Sequence, residues 1–174
     1  MLLFSLALQV RAQSGTENSE SVREFVQRFY SWYVPKAVQE HYGPASDLAL
    51  KYRSHAFSSE LLRALKEDSE AQARVKGVIV GLDFDPFLNT QDPCEGYELG
   101  NVTRKGNDYW VEVYSVCSGK QSEHTDVVCV VGRKNGNWVF VNFLYKNMMK
   151  EYPNSADLLA VLKLLREERQ KDCR

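Results

Sequence analysis

Several features that would reveal a protein's chemistry are missing from this sequence. Its 174 residues carry 22 Lys and Arg against 23 Asp and Glu, so neither sign of charge dominates. A net charge of −1 lacks the electrostatic footprint with which proteins neutralise nucleic-acid phosphates, and no basic stripe appears. No apolar run reaches the roughly 20 residues that a membrane span needs. The nucleophile elbow GxSxG, a Gly-rich phosphate loop and HExxH are all absent. So is CxxC spacing, and no His stands at a ligand offset from any Cys, which excludes a metal-finger site; no metal or cofactor is expected. There is no internal repeat and no low-complexity segment. With 44% hydrophobic residues, the composition is that of one globular domain. A chain of about 150 residues buries roughly 68–70% of its unfolded surface, enough for a core without staples.

The first twelve residues differ from the rest. Leu2, Leu3, Phe4, Leu6, Ala7 and Leu8 form a short apolar run, and Val10-Arg11-Ala12 places small residues at the minus-three and minus-one positions of a signal-peptidase site. Residues 1–12 read as a secretory leader, truncated at its start because the apolar run is short and no Lys or Arg precedes it, residues 13–19 as a flexible mature terminus, and residues 20–172 as the single domain. Export, to the periplasm or beyond, gives the cysteines a meaning. Cys94, Cys117, Cys129 and Cys173 allow three pairings. Cys94 in a Pro/Gly-flanked loop and Cys117 at a strand end form the favoured disulfide. Cys129 lies within the apolar run Val127 to Val131 and reads as a small buried hydrophobe, while Cys173 sits in a charged tail.

Helical periodicity dominates the first half. Ser21 with Glu24 forms a capping box, followed by Val22, Phe25, Val26, Phe29, Tyr30 and Tyr33 on one face, with Pro35 expected to end the helix. One or two helical turns are expected after Ser46-Asp47. A helix from Ser58 to about Arg74 carries a Phe57–Leu62 staple, a Leu61/Leu62/Leu65 face, and Glu67-Asp68-Ser69-Glu70 on the solvated side. The β-branched stretch Val75 to Leu82 reads as a short strand. It leads into a loop with two prolines, Asp83 to Pro93.

Four stronger strands follow: Tyr97 to Arg104, Asp108 to Cys117, Thr125 to Arg133, and Trp138 to Tyr145. Asn135-Gly136 between the last two is a strong hairpin signal, because both residues tolerate the positive φ of a type I′ turn. A final helix is expected with Asn154 as cap, Asp157 at the third position, Leu158, Val161, Leu162 and Leu165 on one face, and a Lys163–Glu167 pair outside.

Helices followed by a consecutive antiparallel sheet predict an α+β layer, with helices covering one face of a curved four-stranded meander. Specific residues carry a resemblance. Leu82-Asp83-Phe84-Asp85-Pro86-Phe87-Leu88-Asn89 with Gln91-Asp92, Val116-Cys117-Ser118-Gly119-Lys120, and Trp138-Val139-Phe140-Val141-Asn142-Phe143 before a Leu-rich helix resemble a bacterial family of exported proteins. That family is carried as a domain of unknown function, and the resemblance covers roughly residues 22–168. The long aromatic first helix on a curved meander is similar to the nuclear-transport-factor-two-like (cystatin-like) cone. This likeness implies a sheet wrapped around a helix with a pocket at its open end, and no chemistry. Some members are lipoproteins, but the segment near the cleavage site here has no cysteine to carry an acyl chain.

The acidic loop is the candidate site. Asp83, Asp85, Asn89 and Asp92 are oxygen donors of the kind a hard cation takes, yet the spacing is not that of an EF-hand. Asp85 and Asp92, each directly before a proline, also read as turn caps. Phe84 and Phe87 read as anchors to the core. Of the histidines, His41 and His55 fall between helices and His124 in a hairpin, none with a nucleophile or carboxylate at motif spacing. Tyr109, Trp110, Tyr114, Trp138, Phe140, Phe143 and Tyr145 read first as core aromatics of a sheet and second as a cavity lining. Asn101-Val102-Thr103 matches a glycosylation sequon but reads as ordinary strand in a bacterial chain.

Two function classes remain. The preferred one is an exported, non-catalytic module binding a protein or small molecule, with Asp85, Phe87, Gln91, Asp92, Tyr114 and Trp138 as candidate contacts. The alternative is a small pocket enzyme of isomerase or hydrolase type, with Asp83, Asp85 or Asp92 as base. That reading requires a carboxylate buried against a cavity. The sequence leaves the oligomeric state open, a homodimer included.

Overall fold

The apolar stripe of the first helix does what its spacing demands: in a computed structural model Val22, Val26, Phe29, Tyr30 and Tyr33 are all buried. The structure describes the backbone of residues 4–39, 44–146 and 156–172, with side chains from Asn18 onward in those segments. His41, Asn154 and Cys173 lie outside the described residues. Helix α1 runs Phe4–Val38, straight through Pro35. A proline removes one backbone hydrogen bond to the residue four before it; here that loss falls in the last turn, where the helix tolerates it. The helix also includes residues 13–19, for which composition predicted flexibility. Ser21 is therefore no cap. It lies mid-helix, donating back to the Asn18 carbonyl and accepting from Trp138 Nε1 at 3.0 Å.

Two further helices follow. Helix α2 spans Ala45–Tyr52, a single 3-10 turn spans Ser54–Ala56, and α3 spans Ser59–Arg74. Ser58 caps α3 as expected, its hydroxyl accepting from Leu61 N at 3.2 Å. The sheet follows the strand signals closely: β1 Gly96–Lys105, β2 Asp108–Cys117, β3 Lys120–Gln121, β4 Val127–Lys134 and β5 Asn137–Leu144. All pairings are antiparallel, in the order β1-β2-β4-β5, and β3 folds back on β2. The sheet thus has five strands rather than four. The addition comes from Ser118 and Gly119, whose φ values of 52° and 73° turn the chain as Asn135 (51°) and Gly136 (81°) do between β4 and β5.

A bulge between Leu99 and Val102 interrupts the β1–β2 ladder and frees backbone groups. Arg23 of α1 takes up two of them, donating to the Leu99 carbonyl at 3.2 Å and the Gly100 carbonyl at 2.5 Å. Gly100 is required there, since a Cβ would sit 2.5 Å from Tyr114 Cε2. The core forms where α1 crosses the sheet: Phe29 packs on Phe140, Phe57 and Phe87, with centroids 4.8 to 5.8 Å apart. Helix α4, Leu158–Asp172, packs on α3 and β5. Asp157, expected at the third helical position, is the cap itself, its Oδ1 accepting from Ala160 N at 2.9 Å. Lys163 and Glu167 pair at 3.9 Å on its exposed face.

Val75 to Leu82 form no strand. From Val78 onward, several of their backbone polar groups are met by side chains of α3 and α4. Gln72 Oε1 accepts from Val80 N (2.8 Å) and Gly81 N (3.1 Å), and its amide donates to the Val78 carbonyl. Asp68 Oδ2 accepts from Leu82 N at 2.8 Å, and Arg169 donates at once to Asp68 Oδ1 (2.7 Å) and to the Val80 carbonyl (2.8 Å). Asp68 is 4% exposed, so it belongs to the interior and not to the solvated side of α3. With sheet pairing replaced, Val78 and Ile79 project outward, 57% and 70% exposed.

Candidate functional site

The loop 83–93 tightens on itself before it reaches the sheet. Asp85 N donates to the Thr90 carbonyl at 2.8 Å, and the Asp85 carbonyl accepts from Asn89 N at 2.8 Å, Asn89 adopting a φ of 54°. The Asp85 side chain caps the same turn, Oδ1 accepting from Phe87 N (2.9 Å) and Leu88 N (3.1 Å). This is the aspartate turn chemistry expected of an Asp-Pro loop. A second layer closes from the core. Tyr33 Oη donates to Asp85 Oδ2 at 2.5 Å, Tyr30 Oη to the Phe87 carbonyl at 2.7 Å, and Tyr145 Oη to the Pro86 carbonyl at 2.9 Å. Three tyrosines, two from α1 and one directly after β5, thus clamp three consecutive loop residues, Asp85 to Phe87.

Burial shapes the electrostatics. Desolvation raises the Asp85 carboxyl from 3.8 to about 6, although the Tyr33 hydroxyl and the Phe87 and Leu88 amides all favour its anion. Tyr30, Tyr33 and Tyr145 are pushed well above the ordinary phenol value, chiefly by burial and further by the negative groups nearby. Cys129 is fully buried, its thiol 3.4 Å from Tyr30 Oη and pushed up to about 12 by desolvation. The loop's far end is fixed by the disulfide between Cys94 and Cys117, whose Cα atoms are 4.9 Å apart.

Outside the clamp lies a cleft of about 620 Å³. It opens between the end of α1, the start of α2, the end of α3 and the 79–93 loop. Asp85, Asp83 and Gln91 line it together with Lys36, Leu82, Phe84 and Ile79. The other candidates are placed elsewhere. Asp92 is exposed and outside the lining, its backbone tied to Thr90 Oγ1. Phe87 is wholly buried among Phe57, Phe29 and Phe143. Tyr114 hydrogen-bonds Glu112 on the sheet, where Lys146 also pairs with Glu112 at 2.7 Å. Trp138 packs against Tyr109 and bonds Ser21. His55 sits in the 3-10 turn and His124 in an exposed hairpin.

Both Asp85 oxygens are occupied, and the Asn89 amide donates to the Asp126 carbonyl, so Asp83, Asp85, Asn89 and Asp92 do not converge on a common point. Among the described residues no group of three or more His, Cys, Asp or Glu is placed to hold a metal ion. Among them, too, no helix is long and apolar enough to cross a membrane.

Nothing in the local sequence pattern marks Tyr33 as the partner of Asp85, or Asp68, Gln72 and Arg169 as the frame of the loop. The available signal was the pair Asp68 and Gln72 one helical turn apart, ahead of β-branched residues with no partner strand.

No protein-family model and no curated protein matches the chain. Its fold is similar to that of a protein of unknown function from Bacteroides thetaiotaomicron VPI-5482, with a TM-score of 0.56 and 19% sequence identity over 78% of this chain and 98% of that one. The likeness concerns the fold, which in this chain, among the described residues, is α+β with four α-helices and a five-stranded antiparallel sheet.

Proposed function

We propose that the chain is an exported, non-catalytic binding module that takes its ligand in the cleft beside Asp85. The observation that carries this reading is the state of the clamp. Asp85 is the loop carboxylate that reaches the interior, and its oxygens already accept three hydrogen bonds; the three tyrosine hydroxyls all donate to the loop itself. A base needs a free lone pair aimed at substrate, and an oxyanion site needs a free donor. The wall of the cleft is apolar at Leu82, Phe84 and Ile79, polar at Gln91 and charged at Lys36 and Asp83, an apolar surface with a few polar groups of the kind binding sites have. The leader-like residues 1–12 and the Cys94–Cys117 disulfide support export, since disulfides persist in oxidising compartments. The bulged sheet lying across the aromatic face of α1 supports placing the chain with the nuclear-transport-factor-two-like cones, of the exported bacterial kind.

One observation favours the enzyme alternative: a carboxyl raised to about 6 beside a cleft is where a general base is found. A thermal-shift screen of small organic metabolites on the full chain separates the two. Binding predicts compounds that stabilise the wild type, lose their effect in Gln91→Ala with Ile79→Ala, and are recovered unchanged. Compounds chemically converted by wild type but not by Asp85→Asn would establish the alternative.

A further inference from the structure

The chain has no basic stripe in sequence, yet the fold gathers cations around Trp32, where Lys36 faces the cleft and Arg53 lines a separate, smaller pocket. Trp32 of α1 has two of them over its ring: Lys36 Nζ at 4.6 Å and the Arg53 guanidinium at 4.8 Å from the centroid. Among the described residues no carboxylate lies within 4.0 Å of either. Beside them is a pocket of about 170 Å³ whose rim carries Arg28, Arg53 and His55 and whose floor is Phe25, Phe29 and Ala56. Arg28 reaches an acid, Glu24, only through an exposed contact of 3.6 Å. Such exposed pairs contribute at most about 1 kcal/mol, so the guanidinium is readily available to a ligand.

We propose that this pocket binds an organic carboxylate, independently of the cleft. Arg53 is half-buried with its guanidinium 4.8 Å from the Trp32 ring centroid, a contact that restrains the planar fork with which it would meet two carboxylate oxygens. Arg28 and His55 supply further donors, and the hydrocarbon body of the ligand rests on Phe25 and Phe29. The pocket is smaller than the roughly 300–1,000 Å³ of sites for drug-sized molecules, so it fits one carboxylate on a short aromatic or aliphatic body.

Benzoate is the probe, titrated by calorimetry into the full chain, with phosphate and neutral benzamide alongside. Benzoate should bind, weaken with added salt, and weaken at least about tenfold in Arg53→Gln, the size of one charge-assisted hydrogen bond. Arg28→Gln, at an exposed position that folding does not need, should weaken it as well, and Arg74→Gln at the end of α3 should leave it unchanged. Equal binding of phosphate or benzamide would overturn the proposal, as would benzoate affinity unaffected by both Arg28→Gln and Arg53→Gln.

Discussion

Residues 96–146 and residues 75–93 are neighbours in sequence and opposite in construction. The sheet is held by its own backbone ladder, with turns set by residues inside the turns: Asn135 and Gly136, Ser118 and Gly119. The loop region has almost no ladder. Its amides and carbonyls are met by Asp68, Gln72, Arg169, Tyr30 and Tyr145, which lie up to 89 residues from their partners, Arg169 and the Val80 carbonyl being the most distant pair. The cleft wall belongs to this second kind of structure. A site built from irregular chain requires distant side chains to stand in for secondary structure, which leaves those side chains few other tasks.

Substitutions of equal chemical size should therefore cost more in the loop's frame than in the sheet's turns. Asp68→Ala should have the largest effect, about 3–5 kcal/mol by urea denaturation, because it leaves Arg169 charged and half-buried with Leu82 N unpaired. Replacing both Cys94 and Cys117 by Ser should cost about 3 kcal/mol in the chain-entropy account for a separation of 23 residues, and reduction of the wild type should reproduce it. Intact-mass analysis of exported material with and without alkylation should show that bridge formed. Tyr33→Phe should cost about 1–3 kcal/mol, since Asp85 Oδ2 loses its donor inside the protein. Gly136→Ala, at a φ of 81°, should cost about 1–2 kcal/mol by the same assay. Should Gly136→Ala prove the more damaging of the two extremes, the contrast between ladder and frame fails.

The same contrast explains what could be read from the sequence. Strand positions, the Asn135-Gly136 turn, the Ser58 cap and the Cys94–Cys117 pair depend on residues close by or on one plain geometric match, and they were legible. Val75 to Leu82 was misread because β-branched residues signal a strand only when a partner strand exists; here Gln72 and Asp68 capture the amides first. Ser21 and Glu24 matched a capping box, but a helix that begins at Phe4 gives Ser21 nothing to cap. Helical spacing showed that Tyr30 and Tyr33 face inward. It carried no information on where their hydroxyls end, which depends on how the 85–88 turn is seated against α1.

The central claim is that Asp85 is a half-buried member of the clamp, desolvated by its seat against α1, and its titration tests this most directly. Asp85→Asn preserves the shape and an oxygen for the Phe87 and Leu88 amides but cannot ionise. In the folded chain Asp85 keeps its proton up to about pH 6, and in the unfolded chain it releases it near 3.8. The folded state therefore binds the proton more tightly, so this contribution to stability is complete below about pH 4 and is lost as the pH rises through 6. Measured by urea denaturation across that range, the wild type should lose of order 3 kcal/mol relative to Asp85→Asn. A difference that stays flat with pH would contradict the clamp.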